Sequence, residues 1–510
     1  MSSVKKHIIK SAGIIGFATV ISRILGFLRD ILIAKFFGTG SYAQAFVVAF
    51  RIPNMLRDLI GEGATNAAFV PVLSEYSVTK KKEEFWHLAN VLLNAGLIVL
   101  TGLVLLGILL APVIVRLIAP GFINDVEKLN LTIYLTRFMF PYVLLVGLLA
   151  YSMGILNSLK HFSAPAFAPA ILNLTIIICA LFRQGSVSAL ATGVLIGGVI
   201  QLAIQIPVLS AKGFSFSFVS DLYHPAVKKI GRLLIPRIFG SCVYQINIFI
   251  NTMLASLAHI VGEGGVAALY YANRIFQFPL AIFGIAVAQA ALPTMSREAL
   301  ESGLDRFKET LSFSLRSVNF VMLPASIGLM ILARPITSAL FERGQFDRYS
   351  TFITQDALVF YSIGLFSYAG IKILVSCFYS LKDTLTPVKI ASVSLVLNIV
   401  LNIIFMFPLK ISGLALATSL SGSFNFFLLF YILRKKIGAL DGYRICGSFI
   451  KVLMASLAMA VIIYFSAFKM NFNLFIVIPI GMMSYIFAAF IFDVKEAKEF
   501  LRQIWVLKRS

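Results

Sequence analysis

The chain has 510 residues, 59% of them hydrophobic and 13% charged, with a net charge of +22. A soluble protein carries about a quarter charged residues, so this composition excludes an ordinary soluble enzyme. It also makes nucleic acid a poor reading of the positive charge: lysine and arginine in short loops orient membrane helices, and much of the excess sits there.

Fourteen apolar stretches are each long enough to cross a roughly 30 Å hydrocarbon core as a helix. In chain order they fall at 9–37, 42–76, 86–118, 129–158, 166–183, 187–210, 233–259, 265–296, 310–333, 353–380, 386–408, 411–434, 447–468 and 472–493. The first opens MSSVKKHIIK, like the basic start of a signal peptide. Its apolar part is too long, contains Arg23 and lacks an A-x-A cleavage site, so it is retained as a helix. The second is expected to break near Gly61–Gly63, and Pro53 offers another break. One set of loops carries Lys5, Lys6 and Lys10, then Lys80 to Lys82, Lys160, Lys212, Lys228, Lys229, Arg297, Arg306, Lys382 and Arg434 to Lys436. The opposite set is poorer, with Lys128, Arg183, Arg334, Arg343, Arg348, Lys410 and Lys469. Both termini are therefore expected in the cytoplasm.

The sequence repeats at an offset of about 222 residues. The Arg-Ile pair of AQAFVVAFRIP, ending at Pro53, matches the Arg-Ile pair of AALYYANRIFQ, so that Arg51 meets Arg274. FVPVLSEY (69–76) lies over ALPTMSRE (291–298), and NSLKHFSAP (157–165) over YSLKDTLTP (379–387). A displacement by six helices makes the repeat parallel. The expected fold is all-α: an N-terminal lobe at 1–215, a C-terminal lobe at 216–440, and a helix pair with a basic tail at 441–510. Two facing lobes would enclose a central cavity.

Arg23, Arg29, Arg51, Arg57 and Arg274 lie inside apolar spans, where each costs roughly 2.5–3.5 kcal/mol on the insertion scale. Snorkelling or internal pairing is one explanation, with Asp30, Asp58 and Glu62 as acids and Arg29 deep enough to bond a neighbouring helix. A water-filled cationic cavity is the better one. Arg23 and Asp30 are nearly in phase on the first helix, and Gly26 leaves a bare patch beside Arg23. Guanidiniums bind phosphate or carboxylate through charge-assisted, often bidentate hydrogen bonds. The cargo is thus expected to be anionic, and a diphosphate would suit several arginines. The last two helices, rich in Phe, Ile and Met, could line a groove for a lipid tail, which would describe a lipid flippase.

Asn247 and Asn251, and likewise Asn398 and Asn402, stand four apart on one helix face. With Thr418 they could offer oxygens to a monovalent cation, but hard cations favour carboxylates, and interhelical hydrogen bonding is preferred. The four cysteines form no C-x-x-C pair; no metal, disulfide framework or cofactor is expected. An integral-membrane enzyme on a polyprenyl phosphate is the alternative from another class. Such chemistry clusters Asp, Glu or His, whereas His7, His87, His161, His224 and His259 are scattered.

The blocks SRILGFLRD and FVVAFRIPNMLRDLIGEGATNAAFVPVLSEY resemble the MurJ/MviN family, as do RLIAPGF, YYANRIFQFP, LFERGQFD and FYSLKDTLTPVKIA. That family comprises bacterial lipid II flippases of the multidrug/oligosaccharidyl-lipid/polysaccharide exporter superfamily. The resemblance implies alternating access in the inner membrane, with an undecaprenyl-diphosphate-linked glycopeptide lipid as cargo. Membrane lipids and cell-wall synthesis proteins are its further expected partners, and nucleic acid is not one. It places functional arginines at Arg23, Arg29, Arg57 and Arg274, and a basic position at Arg51. The chain departs from the family where acids are common: Gln44, Asn273 and Gln277 stand there, which puts a salt-bridge gate and proton coupling in doubt. Exporters of drugs or of other polyprenyl-linked glycans are the alternatives within the superfamily.

Overall fold

The computed structural model describes residues 3–58, 69–219, 221, 224–301 and 304–499, with backbone alone for 3–12 and 234–241. Glu62 and the break expected near Gly61–Gly63 lie outside the described residues.

The described elements are helices: α1 (Ser3–Phe37), α2 (Ser41–Arg57), α3 (Val70–Thr79), α4 (Lys82–Ile118), α5 (Val126–Met139), α6 (Pro141–Ser158), α7 (Ser163–Phe182), α8 (Val187–Ala211), α9 (Pro225–Ala255) and α10 (Ala258–Val261). They continue with α11 (Gly265–Pro279), α12 (Ile285–Glu298), α13 (Asp305–Ile331), α14 (Ala333–Phe341), α15 (Arg348–Ile363), α16 (Leu365–Ser380), α17 (Leu385–Ile437), α18 (Gly442–Tyr464) and α19 (Leu474–Ile491). Among the described residues nine helices are long and apolar enough to cross a membrane, and the bent pair α15–α16 (46°) makes ten. α17 has 53 residues, far more than one crossing needs, and its backbone leaves the helical region at Lys410 (φ 52, ψ −129). It therefore supplies two of the expected spans. With α1, α2 and α9, the described residues of the expected fourteen fall largely on helix. One expectation fails: α2 runs unbroken through Pro53.

The chain forms two compact units, Met1–Leu257 with Arg343–Phe346, and Ala258–Glu342 with Asp347–Ser510. In the first, α1 packs on α7, α7 on α8, α8 on α6, and α4 on α5 and α6. Small residues permit the closest of these contacts. A Cβ at Gly193 of α8 would lie 2.7 Å from Ile176 Cα, and one at Gly197 2.4 Å from Thr175 Oγ1. Leu73, Leu88, Ile155 and Leu156 form the core where α3, α4 and α6 meet. In the second unit α18 and α19 pack on α13 around Leu323, Val452, Ala455 and Ala489. The Tyr485 hydroxyl donates to the Phe320 carbonyl (2.6 Å), and Arg316 pairs with buried Glu496.

Packing repeats along with sequence. α2 against α5 matches α11 against α15; α4 against α6 matches α13 against α16; α3 against α6 matches α12 against α16. The S-L-K motif has a local cause. Lys160 and Lys382 both take left-handed backbone (φ 59) just past a helix end. The following N–H reaches back to Leu156 O (2.8 Å) in one copy and to Phe378 O (2.9 Å) in the other. Each turn is a C-terminal cap that closes its helix. One element breaks the pattern: α1 packs on α7, but its counterpart α9 packs on α3 and α4 of the first unit. The contact division thus falls after Leu257, while the boundary at 215/216 is a proposal about sequence register.

The far end of α9 is held by Gly121, whose N–H donates to Ser256 Oγ (3.1 Å). A Cβ there would lie 1.9 Å from Ser256 O. Gly121→Ala is expected to cost about 1–3 kcal/mol through this clash, read as a lower melting temperature in detergent. An unchanged melt would show that the contact does not hold α9.

Beside the second S-L-K turn, Asp383 caps α17: Oδ1 accepts from the Thr386 N–H (3.0 Å), and Oδ2 from the Thr386 hydroxyl (2.8 Å) and Lys436 Nζ (2.6 Å). Partial burial alone would raise its pKa, but the Lys436 and Thr386 bonds outweigh it and hold the pKa at about 2. A depressed carboxylate stabilises the fold above its unfolded pKa, and that contribution fades as pH falls from about 4 towards 2. Asp383→Asn should therefore lower stability at neutral pH by about 1 kcal/mol after solvent screening. Its melting temperature should approach that of the wild type near the acid limit.

Candidate functional site

α1 carries an arginine and an aspartate at adjacent positions, and the fold buries both: Arg29 is 6% exposed and Asp30 0%. Arg29 Nε and Nη2 donate to Asp30 Oδ1 (3.0 and 2.8 Å), and Nη1 donates to Asn173 Oδ1 (2.9 Å). Asn173, on α7, turns its amide nitrogen to the Ser22 and Pro169 carbonyls (both 3.1 Å). Gly26 makes room for it, since a Cβ there would already lie 3.4 Å from Asn173 Nδ2. The bare patch beside Arg23 is therefore filled by an amide that clasps α1 to α7. Arg23 itself is exposed and, among the described residues, makes no ion pair or hydrogen bond.

On α2, Arg51 is half-buried. Arg57 Nε and Nη2 donate to Asp58 Oδ1 (3.3 and 3.0 Å), with both side chains a third exposed. The hydroxyl of buried Tyr142 on α6 lies in the field of Arg57, Asp58 and Arg29. Its ring stands 6.4 Å from that of Phe50. Cationic groups of α1 and α2 thus converge at α6 within the first unit. Gln44 is buried and donates from Nε2 to Thr39 O (3.2 Å), tying down the turn between α1 and α2. A carboxylate could not make that donation.

In the second unit the Arg274 guanidinium lies over the Tyr270 ring (5.1 Å) and donates from Nη2 to its hydroxyl (3.1 Å). Asn273 and Gln277, four apart on α11, bond to one another (3.1 Å). The other amides pair similarly: Asn251 donates to Asn247 Oδ1 (3.0 Å), in the first unit. Asn402 donates to Asn398 Oδ1 (2.9 Å), and Asn398 to Ser421 Oγ (3.1 Å). The Thr418 hydroxyl donates to Leu414 O (2.8 Å). Asn247 Oδ1 and Asn398 Oδ1 thus accept from an amide one turn further along the same helix. Among the described residues no group of three or more His, Cys, Asp or Glu is arranged for a metal ion. The sequence reading missed Asn173, Tyr142 and Tyr270. Asn173 left a trace, a lone amide four residues after Pro169 in an apolar helix; the other two left none.

Comparison with known proteins first defines the class. An inward-facing multidrug resistance MATE family transporter of the MOP superfamily shares the fold, with TM-score 0.69 and 16% identity over 82% of this chain and 96% of that one. A solved lipid II flippase MurJ in an inward closed conformation aligns with TM-score 0.81 and 29% identity, covering 94% of this chain and 98% of that one. The fold is that of a polytopic transporter rather than an enzyme.

The sequence profile described as lipid II flippase MurJ matches residues 33–483. "Probable lipid II flippase MurJ" of Vibrio cholerae is 37% identical, over 84% of this chain and 83% of its own length. "Lipid II flippase MurJ" of Burkholderia cenocepacia is 35% identical, over 82% of each. The chain belongs to the lipid II flippase MurJ family and is a multi-pass membrane protein.

Proposed function

We propose that this chain carries lipid II, the undecaprenyl-diphosphate-linked peptidoglycan precursor, across the bacterial inner membrane by alternating access. Arg23 is the observation that carries the reading. An exposed guanidinium with no partner among the described residues, in an apolar helix, is costly facing lipid and useful facing an anion. Arg57 and Arg51 in the first unit, and Arg274 in the second, are each assigned to the anionic headgroup of the cargo, each keeping part of its surface open. Arg29 is assigned to holding α1 in place beside them, with Asp30 as its counter-ion. With amides at Gln44, Asn273 and Gln277, cargo charge is balanced by arginine and the resting state does not rely on acid gates. Both termini face the cytoplasm in this reading. The membrane potential supplies drive at about 2.3 kcal/mol per charge per 100 mV, with a monovalent cation at the asparagine pairs as a secondary candidate.

The test uses cells depleted of their own lipid II flippase and expressing this chain. A membrane-impermeant enzyme that cleaves the precursor only when it faces outward is added. Restored cleavage is expected. Absent cleavage with folded protein in the membrane would redirect the cargo to another polyprenyl-diphosphate-linked glycan.

A further inference from the structure

The connection between α8 and α9 leaves a feature that transport does not use. From Gly213 to Val219 the backbone is not helical, and it runs along α4. Gly213 lies against Lys82 and Trp86, within 3.3 and 3.5 Å of where its Cβ would stand. Asn90 Nδ2 donates to Ser215 O (3.0 Å), and Asn90 Oδ1 accepts from the Ser217 N–H (2.8 Å). Asn94 Nδ2 donates to Ser217 O (3.0 Å). Two asparagines four apart on one helix face thus act as the neighbouring strand that this extended segment lacks.

Between Lys82 and Asn94 lie about twelve residues of helix, roughly 18 Å of rise. The segment follows α4 from its charged first turn towards its apolar body, where Ile98 and Val99 stand open. By His224 the chain is back beside His87, ring centroids 6.3 Å apart. It has dipped and returned. Phe214 packs on Trp86 (5.7 Å), while Phe216 and Phe218 are 59% and 81% exposed. Non-helical backbone is tolerated at membrane depth only where its polar groups are satisfied, and the asparagines satisfy three of them.

We propose that residues 214–218 form a re-entrant aromatic anchor, held by Asn90 and Asn94, whose Phe216 and Phe218 insert into the upper acyl region of the leaflet next to Lys80–Lys82. The occupant is phospholipid: Lys82 and Lys212 flank the row where headgroup phosphates would lie, and aromatic rings favour that level. The boundary at 215/216 between the two repeat copies falls inside the dip, so the anchor would pin their junction to the membrane.

The test places tryptophan at the site in the full chain, as Phe216→Trp and Phe218→Trp, with Trp86 and Trp505 replaced by phenylalanine, in phospholipid vesicles. Emission is expected to lose most of its intensity with lipid brominated high in the acyl chain, less with bromine near the chain end, and little with aqueous acrylamide. Strong acrylamide quenching without lipid quenching would overturn the anchor. Trp86→Phe could itself loosen Phe214, so the same pair with Trp86 retained, read against its parent, must give the same order. Asn90→Ala with Asn94→Ala is expected to open both positions to acrylamide, and unchanged lipid quenching would overturn the part given to the asparagines.

Discussion

Arg29→Ala is expected to lower the amount of folded protein in the membrane sharply, before any effect on transport can be read. Removing one member of a buried ion pair leaves the other charge in low dielectric, at about 3–5 kcal/mol. Asp30 is fully buried, and in the variant it would face Asn173 and the apolar flank of α7 without its guanidinium. A domain has only about 5–15 kcal/mol of stability to lose. Replacing both charges by apolar groups of similar size is often neutral. Arg29→Leu with Asp30→Leu should therefore regain most of the folded population. Asn173→Leu should be milder, about 1.5–3 kcal/mol for one hydrogen bond to a charged group. Melting temperature and the monodisperse fraction in detergent read all three. If Arg29→Ala melts like the wild type and only export is lost, Arg29 faces cargo and its structural assignment is wrong.

The contrast between Arg29 and Arg23 shows what a sequence can carry. Both are arginines in one apolar helix, and composition treats them alike. Their difference rests on Asn173, 144 positions beyond Arg29, and nothing local to α1 announces that contact. Features with a local cause were legible. The fourteen spans follow from apolar length, and the S-L-K repeat marks two identical helix ends because the chain reverses there the same way twice. Where the reading erred, tertiary packing had overruled a local rule. A proline inside a helix normally breaks or kinks it, yet α2 passes through Pro53, with Ala49, Ile52 and Pro53 itself buried. The docking of α9 on α3 and α4 was invisible for the same reason. His224, one of the scattered histidines, accepts the Ala226 N–H through Nδ1 (3.2 Å) and so caps α9. A histidine before Pro225 is too weak a capping signal to read from sequence.

Arg23→Ala and Arg274→Ala are expected to do the reverse of Arg29→Ala: normal protein level and melting, with export lost. Removing Arg23 deletes a group that opposes insertion by roughly 2.5–3.5 kcal/mol at mid-helix, and it orphans no described partner. Removing Arg274 gives up its stacking on Tyr270, worth about 0.5–2 kcal/mol, and leaves a hydroxyl that can turn elsewhere. Transport should fall far more. Truncating one side of a desolvated, hydrogen-bonded charge pair costs about 2–5 kcal/mol, which is roughly 30-fold to several thousand-fold. Lysine separates charge from geometry. Arg23→Lys keeps a cation that can reach a phosphate and should retain part of the activity. Arg274→Lys loses the planar fork and the ring contact and should resemble Arg274→Ala. Outward exposure of the precursor, measured with the impermeant cleaving enzyme at matched protein levels, reads all four. Full export by Arg23→Ala would remove the main support for a cationic headgroup site, because among the described residues Arg23, unlike the other four arginines, has no competing contact to explain its presence.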